Sequence, residues 1–207
     1  MKQTIYSLTV ALIFGALTPS VSQAQSSALD YWPMKVGSTW KISMKAGGQT
    51  LVQDITVTDN KNGVASLDYQ MNGRTVQTEK YKISSKSISR LAAGAGGTST
   101  LSPPVPIIQF PMKPGMRWKW KGTINVNGEI SQASAVLSAS KPVSLKTAAG
   151  TFNATKVHMI LTVAQKGSTM TIPNDYWFAP KVGLVKQEMT IMGNKVGGEL
   201  VSYKMKK

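Results

Sequence analysis

Arg117-Trp118-Lys119-Trp120-Lys121-Gly122-Thr123-Ile124-Asn125-Val126-Asn127-Gly128 is the stretch on which the fold turns. Trp118, Trp120, Ile124 and Val126 recur at a spacing of two, while Arg117, Lys119, Lys121, Thr123 and Asn125 fill the alternate positions. A strand with that pattern has one side in a core and the other in water. Asn127-Gly128 then suits a two-residue type I′ turn, whose central positions both need φ > 0. The turn pairs Val126 with Glu129, and counting back sets Gly122 opposite Ala133, Trp120 opposite Ala135 and Trp118 opposite Leu137. Large side chains on one strand thus meet mostly smaller ones on the next.

The same period of two runs outward in both directions from Ser38 to the C-terminus. A three-residue loop at Lys61-Asn62-Gly63 would keep Ile55 and Val57 on one face with Leu67 and Tyr69, and Met71-Asn72-Gly73-Arg74 signals another reversal. Strands are also expected over Phe152 to Val163, Thr169 to Phe178, Leu184 to Met192 and Glu199 to Met205, punctuated by Gly167, Gly183, Gly193 and Gly197-Gly198. About ten strands result. No segment after the leader has the 3.6-residue period of an amphipathic helix, so the expected class is all-β. The expected form is a single antiparallel, strongly curved sheet or half-open barrel, with a β-sandwich as the alternative. A transmembrane barrel is disfavoured, because the face opposite the tryptophans carries Arg117, Lys119 and Lys121.

Residues 92–115 interrupt the rhythm with Pro103, Pro104, Pro106, Pro111 and Pro114 after Gly94, Gly96 and Gly97, and they read as a long Gly/Pro-rich loop, a lid or a connector. The chain also repeats itself. Trp32-Pro33-Met34-Lys35-Val36-Gly37-Ser38-Thr39-Trp40-Lys41 matches Phe110-Pro111-Met112-Lys113-Pro114-Gly115-Met116-Arg117-Trp118-Lys119. A weaker copy, Phe178 to Lys186, keeps the Pro, Lys and Gly. Each copy makes sense as a strand entrance, where Pro ends one segment, Gly permits the turn and Trp drops into the core.

The 207 residues carry 24 Lys and Arg against 9 Asp and Glu, a formal charge of +15, with no Cys and one His. Disulfide scaffolds, thiol catalysis and zinc clusters are thereby excluded or short of parts. Lys2, the apolar run Ile5 to Leu17 and the small residues of Ser22-Gln23-Ala24 describe a signal peptide over residues 1–24. Residues 25–207 then form a single β-domain, expected to be periplasmic or secreted, soluble, without a transmembrane segment and, lacking a Cys after the apolar run, not a lipoprotein.

Tyr31 to Trp40 after a leader, Ala149-Gly150-Thr151-Phe152-Asn153-Ala154-Thr155-Lys156-Val157, and Tyr176 to Lys186 resemble the landmarks of the TapB-like group of exported bacterial proteins. The resemblance implies an exported β-domain, with no catalytic residue to carry over. Ala148 stands where that group often has Pro.

Candidate sites are few. His158 has no partner of catalytic or metal-binding spacing, and Asp54, Asp59 and Asp68 are too dispersed for a calcium loop. Asp175, beside Tyr176 and Trp177, is the carboxylate best placed for a general base. The ligand-binding candidates are Trp40, Trp118, Trp120 and Trp177, with Arg117, Lys119 and Lys121 as a basic stripe. No cofactor or metal is implied. Lys dominates the basic residues, with Arg only at 74, 90 and 117, so nucleic acid is disfavoured and lipid or an anionic envelope polymer fits better. The expected function is therefore a non-catalytic exported domain binding an amphiphile or such a polymer. An envelope hydrolase using Asp175, or a purely structural partner-binding module, is the alternative; the oligomeric state is open. Terminal sequencing of the exported protein should find Gln25 first, and a start at Met1 would remove the leader from the account.

Overall fold

The computed structural model describes residues 27–46, 48–94, 98–165, 167–191 and 193–206. One helical turn, α1 (Ala28–Tyr31), precedes thirteen strands among the described residues. These are β1 (Thr39–Ala46), β2 (Gln49–Lys61), β3 (Val64–Met71), β4 (Arg74–Ile83), β5 (Ser87–Ala93), β6 (Ser99–Gln109) and β7 (Arg117–Val126). They continue as β8 (Glu129–Ala139), β9 (Val143–Thr147), β10 (Gly150–Gln165), β11 (Ser168–Ala179), β12 (Gly183–Ile191) and β13 (Asn194–Lys204). Neighbours pair in sequence order from β1 to β8, β8 pairs with β10, β10 to β13 follow in order, and β13 returns to β1. The result is a closed antiparallel barrel of twelve strands, so the curvature expected of a half-open barrel continues to full closure. β9 lies outside the ring, paired with the first residues of β10 while Val157 to Val163 of that strand pair with β8.

The β7–β8 hairpin has the register expected from its turn: Val126 faces Glu129, Gly122 faces Ala133, Trp120 faces Ala135 and Trp118 faces Leu137. Asn127 and Gly128 both have positive φ, at 53° and 92°. At the β2–β3 hairpin the turn is shorter than expected. Asn62 and Gly63 form a two-residue connection between Lys61 and Val64, and a bulge between Val57 and Asp59 puts Ile55 opposite Tyr69 and Val57 opposite Leu67. The bulge, and not the loop, corrects the face. Gly197-Gly198, expected as punctuation, lies inside β13, where a Cβ on Gly198 would collide with Met44 and Ile42.

The expected loop over residues 92–115 is largely a strand. β6 runs through Pro103, Pro104 and Pro106, with Ser102–Pro103 in the cis form. Only Ser99 to Ser102 pair with β7. Beyond them the prolines have no N–H to offer a ladder, and two indoles bridge the seam: Trp120 Nε1 donates to the Pro103 carbonyl at 2.8 Å and Trp118 Nε1 to that of Pro106 at 2.7 Å. Gly122 fits the same seam, since a Cβ there would strike the Ser102 carbonyl.

Inside the ring the lower half is apolar and closed. α1 and Trp32 plug it: Ala28 N–H bonds the Ser85 carbonyl, Lys181 N–H bonds that of Asp30, and the Trp32 ring packs on Trp40, Tyr81 and Phe178. Trp40 and Trp118 are each the second residue of a strand that follows a positive-φ glycine, Gly37 and Gly115. Both are core residues, 2% and 7% exposed. Trp40→Ala and Trp118→Ala should each lower stability by about 3–5 kcal/mol. Trp120→Phe, which leaves the Pro103 carbonyl without its donor, should cost about 1–3 kcal/mol. Urea melts that place these variants on the parent curve would contradict the packing described.

Candidate functional site

Above the plug the interior changes character. β4 points Gln77, Glu79 and Tyr81 inward at a spacing of two, and β3 and β5 bring Tyr69 and Arg90 alongside. The Glu79 carboxylate, 4% exposed, accepts hydrogen bonds from Tyr69 Oη at 2.7 Å, from Gln77 Nε2 at 2.8 Å and from Tyr81 Oη. Arg90 Nη2 lies 3.5 Å from Glu79 Oε1, and Nη2 and Nε donate to Tyr81 Oη at 3.2 and 3.4 Å. The guanidinium also sits over the rings of Tyr81 and, from the facing wall, Tyr176, at 5.7 and 5.9 Å. A balanced ion pair ringed by phenols thus forms a floor across the lumen.

Burial pushes the Tyr69 phenol well above its usual pKa, and the Glu79 charge adds to it. Burial raises Tyr81 as well, with Glu79 reinforcing it against the opposing pull of Arg90. For Arg90 burial acts downward, but Glu79 and the tyrosines outweigh it and hold the guanidinium firmly charged. The two phenols stay neutral and keep donating to the carboxylate.

A cavity of about 410 Å³ stands on this floor, with Met44, Met159, Leu161, Ile172 and Met189 as apolar lining and Gln53, Gln77, Asn174 and Gln187 as amide lining. A second cavity of about 780 Å³ lies between the β7–β8 and β10–β11 hairpins, lined by Ile124, Val126, Ile130, Val163 and Met170. Leu161 and Ile172 border both. Each volume lies in the range of roughly 300–1,000 Å³ usual for small-molecule sites.

The candidates named from sequence do not gather there. Trp40 Nε1 donates to the Val182 carbonyl at 2.6 Å in the plugged half, and Trp118 and Trp120 are the seam. These three are core residues. Arg117, Lys119 and Lys121 are exposed on the outer face. Trp177 is half-buried outside the ring, between Lys156 and Lys186 at 5.7 and 5.3 Å. Hydrogen bonding to Glu199 and Glu188 raises the Lys186 pKa against its partial burial. Asp175 lies in β11 and not in a loop; it meets His158 Nδ1 directly across the ladder at 2.7 Å and Lys156 at 3.7 Å. Among the described residues no group of three or more His, Asp or Glu assembles for a metal. What the sequence reading missed is Glu79, Arg90, Tyr69 and Tyr81. One signal was available: a carboxylate at the inward period of β4, two residues from Tyr81.

This barrel class matches a family model: residues 120–205 match the DUF3108-like family. No curated protein matches the chain. Among solved structures, one from Parabacteroides distasonis ATCC 8503, described as a lipoprotein, has 16% identity and a TM-score of 0.56, covering 84% of this chain and 98% of its own. An exported protein with a YmcC-like fold from Bacteroides fragilis NCTC 9343 has the same identity, TM-score and coverage of this chain, and 99% of its own. The hypothetical lipoprotein YmcC of Escherichia coli aligns at 11% identity and a TM-score of 0.42, over 90% and 91%. The TapB-like name is absent from these matches. They also correct the localisation: the expectation of a soluble protein that is not a lipoprotein rested on a missing Cys, and the fold is shared with a protein described as a lipoprotein. No helix among the described residues is long and apolar enough to cross a membrane.

The raised phenols fix a pH dependence. Folded Tyr69 and Tyr81 hold their protons more tightly than unfolded tyrosines, so the stability they add is complete below about pH 10 and drains as pH rises beyond it. The urea midpoint should therefore fall above pH 10, and less steeply in Tyr69→Phe. Equal slopes in parent and variant would show that the phenol is not linked to folding.

Proposed function

We propose that the protein is a non-catalytic exported domain that holds a small amphiphile in the upper lumen of its barrel. The observation that carries this reading is the cavity on the Glu79–Arg90 floor, polar below and largely apolar along its walls. A molecule with a polar head and an apolar body meets complementary chemistry at each level. Burial of its apolar part supplies the driving force, at about 25 cal/mol per Å². Asp175, the alternative catalytic carboxylate, points outward and is held by His158 and Lys156, which favours a binding role over hydrolysis. The TapB-like resemblance, with its exported β-domain, suits the same role.

A second reading, contact with an anionic envelope polymer, draws on the exposed stripe of Arg117, Lys119 and Lys121, for which no ion pair is seen among the described residues. The two separate by salt, since screening tightens from a Debye length of about 10 Å at 0.1 M to about 3 Å at 1 M and leaves apolar contact in place.

Native mass spectrometry of protein purified from its own cell envelope should show bound amphiphile, and the emptied protein should take up a fluorescent acyl probe at high salt. Met189→Trp, which fills the cavity from β12, should abolish that uptake. Empty native protein that also ignores the probe would overturn the reading.

A further inference from the structure

The lumen floor is specific about the head group. We infer that the ligand is an uncharged single-chain amphiphile with a hydroxyl-bearing head, of the monoacylglycerol or fatty-alcohol class, its head on the Glu79–Arg90 floor and its tail passing Leu161 and Ile172 into the second cavity. The inference rests on the lumen-binding reading and names the ligand class for it.

Two observations carry it. The first is the charge balance of the floor and the acceptors it leaves open. The hydroxyl of Tyr69 and the amide of Gln77 donate to Glu79, Tyr81 does the same, and Asn174 Nδ2 donates to the Ile172 carbonyl at 3.0 Å. Each amide keeps its second N–H, and the Tyr69 oxygen and the amide carbonyls of Gln77 and Asn174 remain as acceptors. A hydroxyl head can donate to them, whereas a carboxylate or phosphate only accepts. The cationic donor, Arg90, already has its charge balanced by Glu79 at 3.5 Å. An anionic head entering this site would lose its hydration and gain no surplus positive charge, with the Glu79 carboxylate beside it.

The second observation is the path for a tail. Leu161 of β10 and Ile172 of β11 sit opposite one another in the ladder and border both cavities. Beyond them Ile124, Val126, Val163 and Met170 are the apolar part of the second cavity's lining, alongside polar residues such as Gln132 and Ser168. A linear chain laid along this route runs from floor to rim over the neighbouring Leu161 and Ile172 side chains. Val126, otherwise exposed to water, is covered by it.

The test compares monolaurin with laurate by calorimetry on the full, delipidated chain at neutral pH. The parent should bind monolaurin at least about tenfold more tightly, the scale of one unmet hydrogen bond to a charged group. Glu79→Gln removes the balancing anion and leaves Arg90 in surplus, so the order should reverse in favour of laurate; a variant that merely loosens the fold weakens both alike. If Glu79→Gln does not fold, Leu161→Trp serves instead: by filling the junction of the two cavities it should weaken monolaurin while leaving the short-chain monocaprylin unaffected. Parent protein that prefers laurate or does not distinguish the heads, an unreversed order in folded Glu79→Gln, or equal effects of Leu161→Trp on both glycerides would each overturn the inference while leaving the lumen-binding reading standing. Failure to bind any acyl compound would sink that reading itself.

Discussion

The barrel depends on how its ring is completed between β6 and β7. A closed antiparallel sheet is stable because every strand finds two neighbours, yet β6 carries three prolines where its ladder to β7 should run. The indoles of Trp118 and Trp120 supply other cross-strand bonds in place of the ladder, donating from β7 to the carbonyls of Pro106 and Pro103. Those tryptophans thereby do two jobs, filling the core beneath β8 and joining the seam. Closure at this point is what turns a curved sheet into a lumen with a floor.

That lumen is divided by chemistry and not by a wall. Below, Trp32 packs edge to face with Trp40 and Tyr81 and at a tilt against Phe178, around the plug formed by α1. Above, a buried carboxylate and guanidinium are kept only because Tyr69, Tyr81 and Gln77 satisfy the anion and aromatic faces flank the cation. An apolar substitution for such a pair is often neutral or favourable in stability, so its presence in a core that is otherwise hydrophobic points to specificity over strength. Tyr81 belongs to both zones, its ring against Trp32 and its hydroxyl at Glu79.

How much of this could be read from residues follows from whether the determinant is local. The β7–β8 register was legible because Asn127-Gly128 and strict alternation lie within one short window. At the β2–β3 hairpin the faces were legible but the device was not, since a bulge past Val57 leaves no composition signal. β6 reads as a loop in sequence because proline ends most strands, and its neighbour's indoles, which make the strand viable, lie twelve or more residues away. Ring closure through β10–β11 and β13–β1 depends on the shear of the whole sheet. Glu79 and Arg90 were invisible as a site because single charges on alternating strands look like outward residues until the bulges of β4–β5 set the faces.

The first and last strands are neighbours, with Thr39 against Lys204, and Ala28 and Lys206 are tied to the same end through Ser85 and Ser38. Both ends of the described chain therefore emerge at the plugged rim, opposite the hairpin tips that surround the lumen. Anything that holds this domain by either end, whether an anchor or a fused partner, leaves the floor of the lumen facing away from the point of attachment, like a cup standing on its base.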